Sequence, residues 1–340
     1  MPLLRLLALR LGLAGHRWLV WLGLLTGFAP APGRAQPPGY RTTAVTFTSV
    51  GTTLAGTLVL PTRAAVAAVV LVHGSGQELR QLGLAGQLAA RGIAVLTYDK
   101  RGVGTSGGVY VGPEVGTNNV AAANLRLLAT DASAALMTLV ARLPTRHGPV
   151  GLLGGSQAGW VMPLAAQQNP AVRFLVLFSG PVVTVREQLR FQFYTAGDAH
   201  FWQTHTQADA REHLRHDPDR YEFTDTDARA VLATLAIPGL WLFGGQDIQA
   251  PVRESMANLD TLRAQGKAYQ YQLFPTLGHN TAFADSQEPL QAAVRWLHTL
   301  PRGKNRAVRS HRVKAPRKQV APPGKKKHLL CALVGHIADF

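Results

Sequence analysis

Short continuous apolar runs recur along the middle of the chain, and most are followed by a stretch whose apolar positions repeat at helical spacing. Residues 44–48 and 54–60 predict an opening hairpin. Residues 67–72 form an apolar run that ends in His73-Gly74-Ser75-Gly76, and further strands are predicted at 93–98, 150–153, 174–178, 239–243 and 269–274. Helical patterns occupy 82–91, 119–143, 159–168, 252–265 and 288–299. Apolar runs without a polar face indicate strands buried on both sides. Their alternation with helices predicts an α/β fold with a mostly parallel central sheet and helices on both faces. Residues 182–236 interrupt the rhythm: they are rich in Arg, Asp, His and aromatics, look helical, and predict a cap inserted over one edge of the sheet. No internal repeat is present.

Composition changes this picture mainly at the two ends. The chain has 340 residues, 46% of them hydrophobic, enough for a substantial core and incompatible with a largely disordered or fibrous chain. One cysteine excludes a disulfide framework and a Cys-based zinc or iron–sulfur site. The net charge of +16 suggests a nucleic-acid partner, but residues 301–340 carry eleven Lys/Arg against one acid, and residues 1–35 carry four against none. Residues 36–300 hold 20 basic and 18 acidic side chains, close to neutral, so no specific nucleic-acid binding is expected of the folded part.

The first 35 residues have the layout of an export signal. Arg5, Arg10 and Arg17 precede an apolar run at 18–28, and Pro30, Pro32 and Gly33 then break the helix. Gly33-Arg34-Ala35 offers small residues for cleavage before Gln36. The charge-free stretch 18–33 is sixteen residues with three breakers, whereas a membrane span wants about 20 apolar residues. The expected organisation is a signal peptide at 1–35, a folded domain at 36–300 with the 182–236 insertion, and a basic disordered tail at 301–340. The mature protein would be periplasmic or extracellular and without a transmembrane span. Its tail would bind polyanions weakly at most.

Candidate chemistry begins at Gly154-Gly155-Ser156-Gln157-Ala158-Gly159, directly after one predicted strand and before a helix. A sharp strand-to-helix turn tolerates only small residues two before and two after its centre, here Gly154 and Ala158. It lifts Ser156 Oγ above the sheet and aims the Gln157 amide at the open helix N-terminus. A serine hydroxyl needs a base to take its proton, and the base needs a carboxylate to hold its tautomer. The strand at 239–243 ends in Gly244-Gly245-Gln246-Asp247, and that at 269–274 leads to Leu277-Gly278-His279-Asn280. Each polar residue follows a strand's carboxyl end, where open α/β sheets keep their ligand sites. Taken alone, Asp247 reads equally well as a cap or turn residue and His279 as a surface histidine. The chain order Ser, Asp, His after three strands favours a catalytic triad of Ser156, Asp247 and His279. Gln157 and Ser75 amides are the expected oxyanion donors.

Other motifs read as structure. Gly102-Val103-Gly104-Thr105-Ser106-Gly107 matches a dinucleotide fingerprint, yet a glycine-containing loop continues to Gly116 and no acid follows at the right distance. A tight turn braced by an Asp99–Arg101 pair is expected instead. His73 ends a buried strand beside glycines and is expected to orient its loop. His200, His205, His213 and His216 share no helix face and read as a solvated cap surface, with no metal site expected.

Tyr98-Asp99-Lys100-Arg101-Gly102-Val103-Gly104-Thr105-Ser106, the His-Gly-Ser-Gly loop, Gly-Gly-Ser-Gln-Ala-Gly-Trp and Leu-Gly-His-Asn together resemble the α/β-hydrolase superfamily. The resemblance extends over about residues 44–300, including Ser179-Gly180-Pro181 and Glu187-Gln188, and is nearest to bacterial serine esterases with a Tyr-Asp-Lys-Arg-Gly motif, close to serine aminopeptidase-like and dienelactone-hydrolase-like groups. Ala158 departs from the usual glycine. The resemblance implies the Ser156–Asp247–His279 triad, a helical cap and activity on carboxylic esters; the expected protein is an exported serine hydrolase for small-molecule esters of small or medium acyl groups, requiring no metal or organic cofactor. A peptidase of the same fold and a non-catalytic binding protein are the alternatives. Among the cap aromatics, Phe193 and Trp202 are expected to line the acyl pocket.

Overall fold

Strand β1 (Tyr40–Ser49) turns back into β2 (Thr52–Pro61) through Val50 and Gly51, both at positive φ, the two-residue turn whose twist suits a hairpin. The structure is a computed structural model that describes residues 39–112, 118–218 and 221–301. The expected export signal and the basic tail beyond Pro301 lie outside the described residues.

The remaining strands are β3 (Ala67–Val72), β4 (Ile93–Tyr98), β5 (Val150–Gly155), β6 (Leu175–Phe178), β7 (Gly239–Gly244) and β8 (Tyr269–Phe274). The helices are α1 (Leu82–Ala90), α2 (Ala122–Arg142), α3 (Ala158–Gln168), α4 (Val185–Thr195), α5 (Phe201–Thr204), α6 (Gln207–His216), α7 (Ala228–Thr234), α8 (Val252–Ala264) and α9 (Glu288–Thr299). One eight-stranded sheet runs in the order β1-β2-β4-β3-β5-β6-β7-β8. β2 pairs antiparallel with β1 and β4, and every pair from β4 onward is parallel.

The apolar runs are uninterrupted because both faces of the sheet are covered. All six residues of β3 are buried, and they alternate between two cores. Val70 and Val72 belong to the core covered by α2, α3, α7 and α8, whereas Val69 and Leu71 belong to the core covered by α1 and α9. The chain winds from β3 outward to β4, then returns to β5 on the other side of β3. That reversal leaves a crevice at the carboxyl ends of β3 and β5, the place where such sheets bind ligands.

The insertion between β6 and β7 is helical, as its composition predicts. Thr184 and Thr206 open α4 and α6 with reciprocal capping boxes to Glu187 and Asp209. Phe191, Ala210 and Leu214 form a small core of their own, with Tyr194 and Trp202 against it. The last helix, α7, instead contributes Ala228 and Leu232 to the main core. Among the described residues no helix is long and apolar enough to cross a membrane.

Candidate active site

Ser156 stands between β5 and α3 with φ +53°, in the left-handed region that L-residues other than glycine rarely occupy. A conformation of this kind costs on the order of 1–3 kcal/mol and persists only when its surroundings enforce it. The Ser156 amide donates to Phe178 O at 3.1 Å, and Ser156 O accepts from Gly159 N at 2.8 Å. The neighbours leave no room: a Cβ on Gly154 would lie 2.5 Å from Val72 O and 2.8 Å from Ala158 Cβ. One on Gly159 would lie 2.7 Å from Pro181 O. Alanine fits at 158 because the bare Gly154 faces it.

His279 and Asp247 are 32 positions apart and meet because β7 and β8 end side by side. Gly244 and Gly245 let the following loop of β8 lie flat against the end of β7. A side chain at Gly244 would strike Gly278 O at 2.1 Å, and one at Gly245 would strike Pro275 O at 2.6 Å. Gln246 N donates to Leu277 O at 2.8 Å, joining the two loops. His279 Nδ1 then sits 2.8 Å from Asp247 Oδ2. Asp247 Oδ1 accepts from the amides of Gln249 (2.7 Å) and Ala250 (2.8 Å), so the carboxylate is held at both oxygens. Buried Thr281 anchors the histidine loop by donating to Leu242 O at 3.1 Å. His279 Nε2 is buried and hydrogen-bonds to nothing among the described residues.

Ser156 and His279 line one pocket of about 310 Å³. Its walls are Val72, Leu84, Leu153 and Phe178, with the exposed Leu79 and Phe283 at the rim and Glu78 also lining it. Phe193 and Trp202 do not line it, which corrects that expectation. Phe193 is 67% exposed. Trp202 stacks on Phe191 and donates Nε1 to Asp247 O at 3.0 Å, so its indole fastens the cap to the carboxylate loop. Of the cap histidines, His200 and His216 are exposed, whereas His213 stacks on Tyr194 at 4.0 Å and His205 on Phe201 at 4.3 Å.

The loops expected to supply oxyanion donors lie at the ends of β3 and β5. Neither the Ser75 nor the Gln157 amide donates to any described residue, whereas Gly74 N is taken by Glu78 Oε1 at 2.8 Å. Burial raises the Glu78 carboxyl above its usual range, against the opposing effect of the Lys100 charge. His73 is no candidate base. Its Nε2 lies 2.6 Å from Tyr98 O, and burial, helped by the Lys100 charge, pushes its pKa down to about 4.

The expected Asp99–Arg101 pair does not form. Asp99 pairs with Arg80, which holds its carboxyl far below the usual range, and Arg101 pairs with Asp131 of α2 in the buried interior. Gly102 and Gly104 take positive φ in a turn, and no helix opens among the described residues that follow directly. Sequence reasoning missed Lys100, Glu78 and Thr281. Charged residues at the end of the apolar strand β4 were a signal available for Lys100.

Residues 63–229 match the family model described as Serine aminopeptidase, S33. No curated protein matches the sequence significantly. An esterase from Pyrococcus furiosus is similar in structure, with TM-score 0.55 and 16% identity over 78% of this chain and 94% of that one. An acetyl xylan esterase from a Paenibacillus species has TM-score 0.54 and 18% identity, covering 80% and 86%. The acylaminoacyl peptidase of Pyrococcus horikoshii has TM-score 0.53 and 14% identity, covering 76% of this chain and 41% of that one. With the sheet order and a positive-φ serine after β5, these matches show that the chain has the α/β-hydrolase fold, and residues 63–229 resemble the serine aminopeptidase family.

Proposed function

We propose that this protein is an exported esterase that cleaves carboxylic esters of small or medium acyl groups through Ser156, His279 and Asp247. The observation that carries the reading is the shared pocket. It is bounded by a serine held at strained φ and by an imidazole whose Nδ1 is fixed on a carboxylate while Nε2 is unpaired. His279 Nε2 takes the hydroxyl proton as Ser156 Oγ bonds to the carbonyl carbon. The oxyanion receives the Ser75 and Gln157 amides, and His279 then gives the proton to the departing alcohol. Water attacks the acyl-enzyme by the same route and restores Ser156. Asp247 stays ionised throughout and keeps the Nδ1 proton in place.

A pocket near the lower end of the ligand-site range, roughly 300 to 1,000 Å³, favours short acyl chains. The export signal proposed at 1–35 favours extracellular or periplasmic esters. The family description favours a second reading, an aminopeptidase using the same three residues. A series of p-nitrophenyl esters of increasing chain length, run beside an aminoacyl p-nitroanilide, separates them. Esters turning over faster than the anilide, with a maximum at short chains, support the proposal. Preference for the anilide reverses it. Ser156→Ala should abolish both activities, and more than about 1% residual turnover removes Ser156 from the mechanism.

A further inference from the structure

Lys100 follows β4 and is 2% exposed, although its residue type is almost never buried without partners. Its Nζ donates to Gly74 O (2.6 Å), Ser75 O (3.1 Å) and Gly76 O (3.2 Å), and across the crevice to Gln157 Oε1 (3.2 Å). The first three acceptors are successive carbonyls of the loop after β3. The fourth belongs to the residue directly after Ser156.

We propose that Lys100 is a positioning residue for the oxyanion hole, one buried ammonium that sets the direction of the Ser75 amide and steadies the residue bearing the Gln157 amide. The inference rests on the reading that Ser156 is the nucleophile and that these two amides receive the oxyanion.

In a planar trans peptide the carbonyl and the following N–H point in opposite directions. With Gly74 O turned onto Lys100, the Ser75 N–H of the same peptide must point away from it. Glycines flank Ser75 on both sides, so the loop backbone has little intrinsic preference that would hold this orientation. The ammonium supplies the preference. Turning a carbonyl away would leave a buried charge short of acceptors, a far larger penalty than one unmade neutral bond. At least four acceptors share three N–H donors, so the contacts act as a set. Tyr110 and Asn119 add donors to Ser75 O at 3.0 and 3.4 Å. Gln157 Nε2 donates to Asn119 O at 2.8 Å, which closes the network around the second amide. Glu78 holds the opposite side of the loop at Gly74 N, so that amide is spent and Ser75 N–H is left as the donor.

The test is Lys100→Met, which keeps the length and removes the charge. It is assayed with a p-nitrophenyl ester and with a trifluoromethyl ketone, whose adduct with serine carries the oxyanion. Misaligned donors weaken only the charged state, so kcat should fall on the order of 100-fold with KM within about threefold. Affinity for the ketone should fall by the same factor as kcat, since only the adduct uses the hole. An unchanged kcat, or a ketone affinity that does not follow it, overturns the proposal and makes Lys100 merely structural. Should Lys100→Met fail to fold, Gln157→Met cuts the link to the second donor while leaving the three loop carbonyls engaged. A roughly tenfold lower kcat at constant KM then supports the proposal, and wild-type kcat overturns it. Ser156→Ala separates the two readings. Hydrolysis surviving there overturns the triad and the hole together, whereas an inactive Ser156→Ala beside an unaffected Lys100→Met overturns the Lys100 proposal alone.

Discussion

Replacing Asp247 with Asn should cost far more activity than the loss of one charge suggests, because the surroundings dictate which way the amide turns. Asp247 Oδ1 faces two backbone donors, the amides of Gln249 and Ala250, and Oδ2 faces His279 Nδ1. An asparagine has one acceptor end, and two donors claim it. Turning the amide over would oppose its NH2 to both backbone N–H groups and leave two buried donors unmet, at about 1–3 kcal/mol each. The NH2 therefore faces Nδ1, which must accept, and the ring proton moves to Nε2, the atom needed as base. Active enzyme then requires the overturned amide, disfavoured by roughly 2–6 kcal/mol. At 1.36 kcal/mol per tenfold, the middle of that range predicts a loss near 10³ and the upper end about 10⁴. The assay is steady-state hydrolysis of a short p-nitrophenyl ester near pH 7.5, with circular dichroism to verify the fold. Activity above about 5% of wild type in a folded Asp247→Asn enzyme would refute the reasoning, since the histidine would not then depend on that carboxylate.

Three further outcomes follow from the packing. Arg101→Met should destabilise the fold by about 3–5 kcal/mol in urea titration, because Asp131 would be left as a buried, unpaired charge; a change below about 1 kcal/mol would show that water reaches the pair. His73 is held neutral with its pKa pushed from 6.5 to about 4, so the unfolded chain binds the extra proton between those values. Its contribution is complete above pH 6.5 and is lost as pH falls to 4, by an amount on the order of 3 kcal/mol. In His73→Gln that part of the acid destabilisation should disappear, and an unaltered stability profile would contradict the assignment. Ala at Leu79 or Phe283 should change the rank order of ester chain lengths, each lost contact shifting preference by roughly 1–3 kcal/mol, whereas Phe193→Ala should not. A shift in Phe193→Ala alone would return the acyl pocket to the cap.

The sheet was legible because its strands are buried on both faces, so each appears as an unbroken apolar run. The alternating strands of the hairpin were less so. Tyr40, Arg41, Thr42 and Thr43 pair with β2 in full register, yet their mostly exposed side chains leave no hydrophobic trace. Ser156 was legible because its turn makes a local demand, small residues on either side, that the chain must meet within a few positions. Asp247 and His279 were readable from their places after strands, but not the pair of glycines, Gly244 and Gly245, that lets their loops touch. Pairings between distant segments were hidden. Asp99 and Arg101 are near neighbours of opposite charge, yet each finds its partner elsewhere, Asp99 in the loop before α1 and Arg101 in α2. The cap aromatics were misread for a similar reason. Phe191 went into a small core with Trp202 against it, and the pocket instead took walls from α1 and from the loop after His279.

The most direct test of the account is the mass of the enzyme quenched in acid during turnover of a short p-nitrophenyl ester, followed by peptide mapping. The account predicts a population heavier by one acyl group, with the addition on the peptide containing Ser156 and none in Ser156→Ala. An acyl group on another residue, or continued hydrolysis by Ser156→Ala, would contradict it.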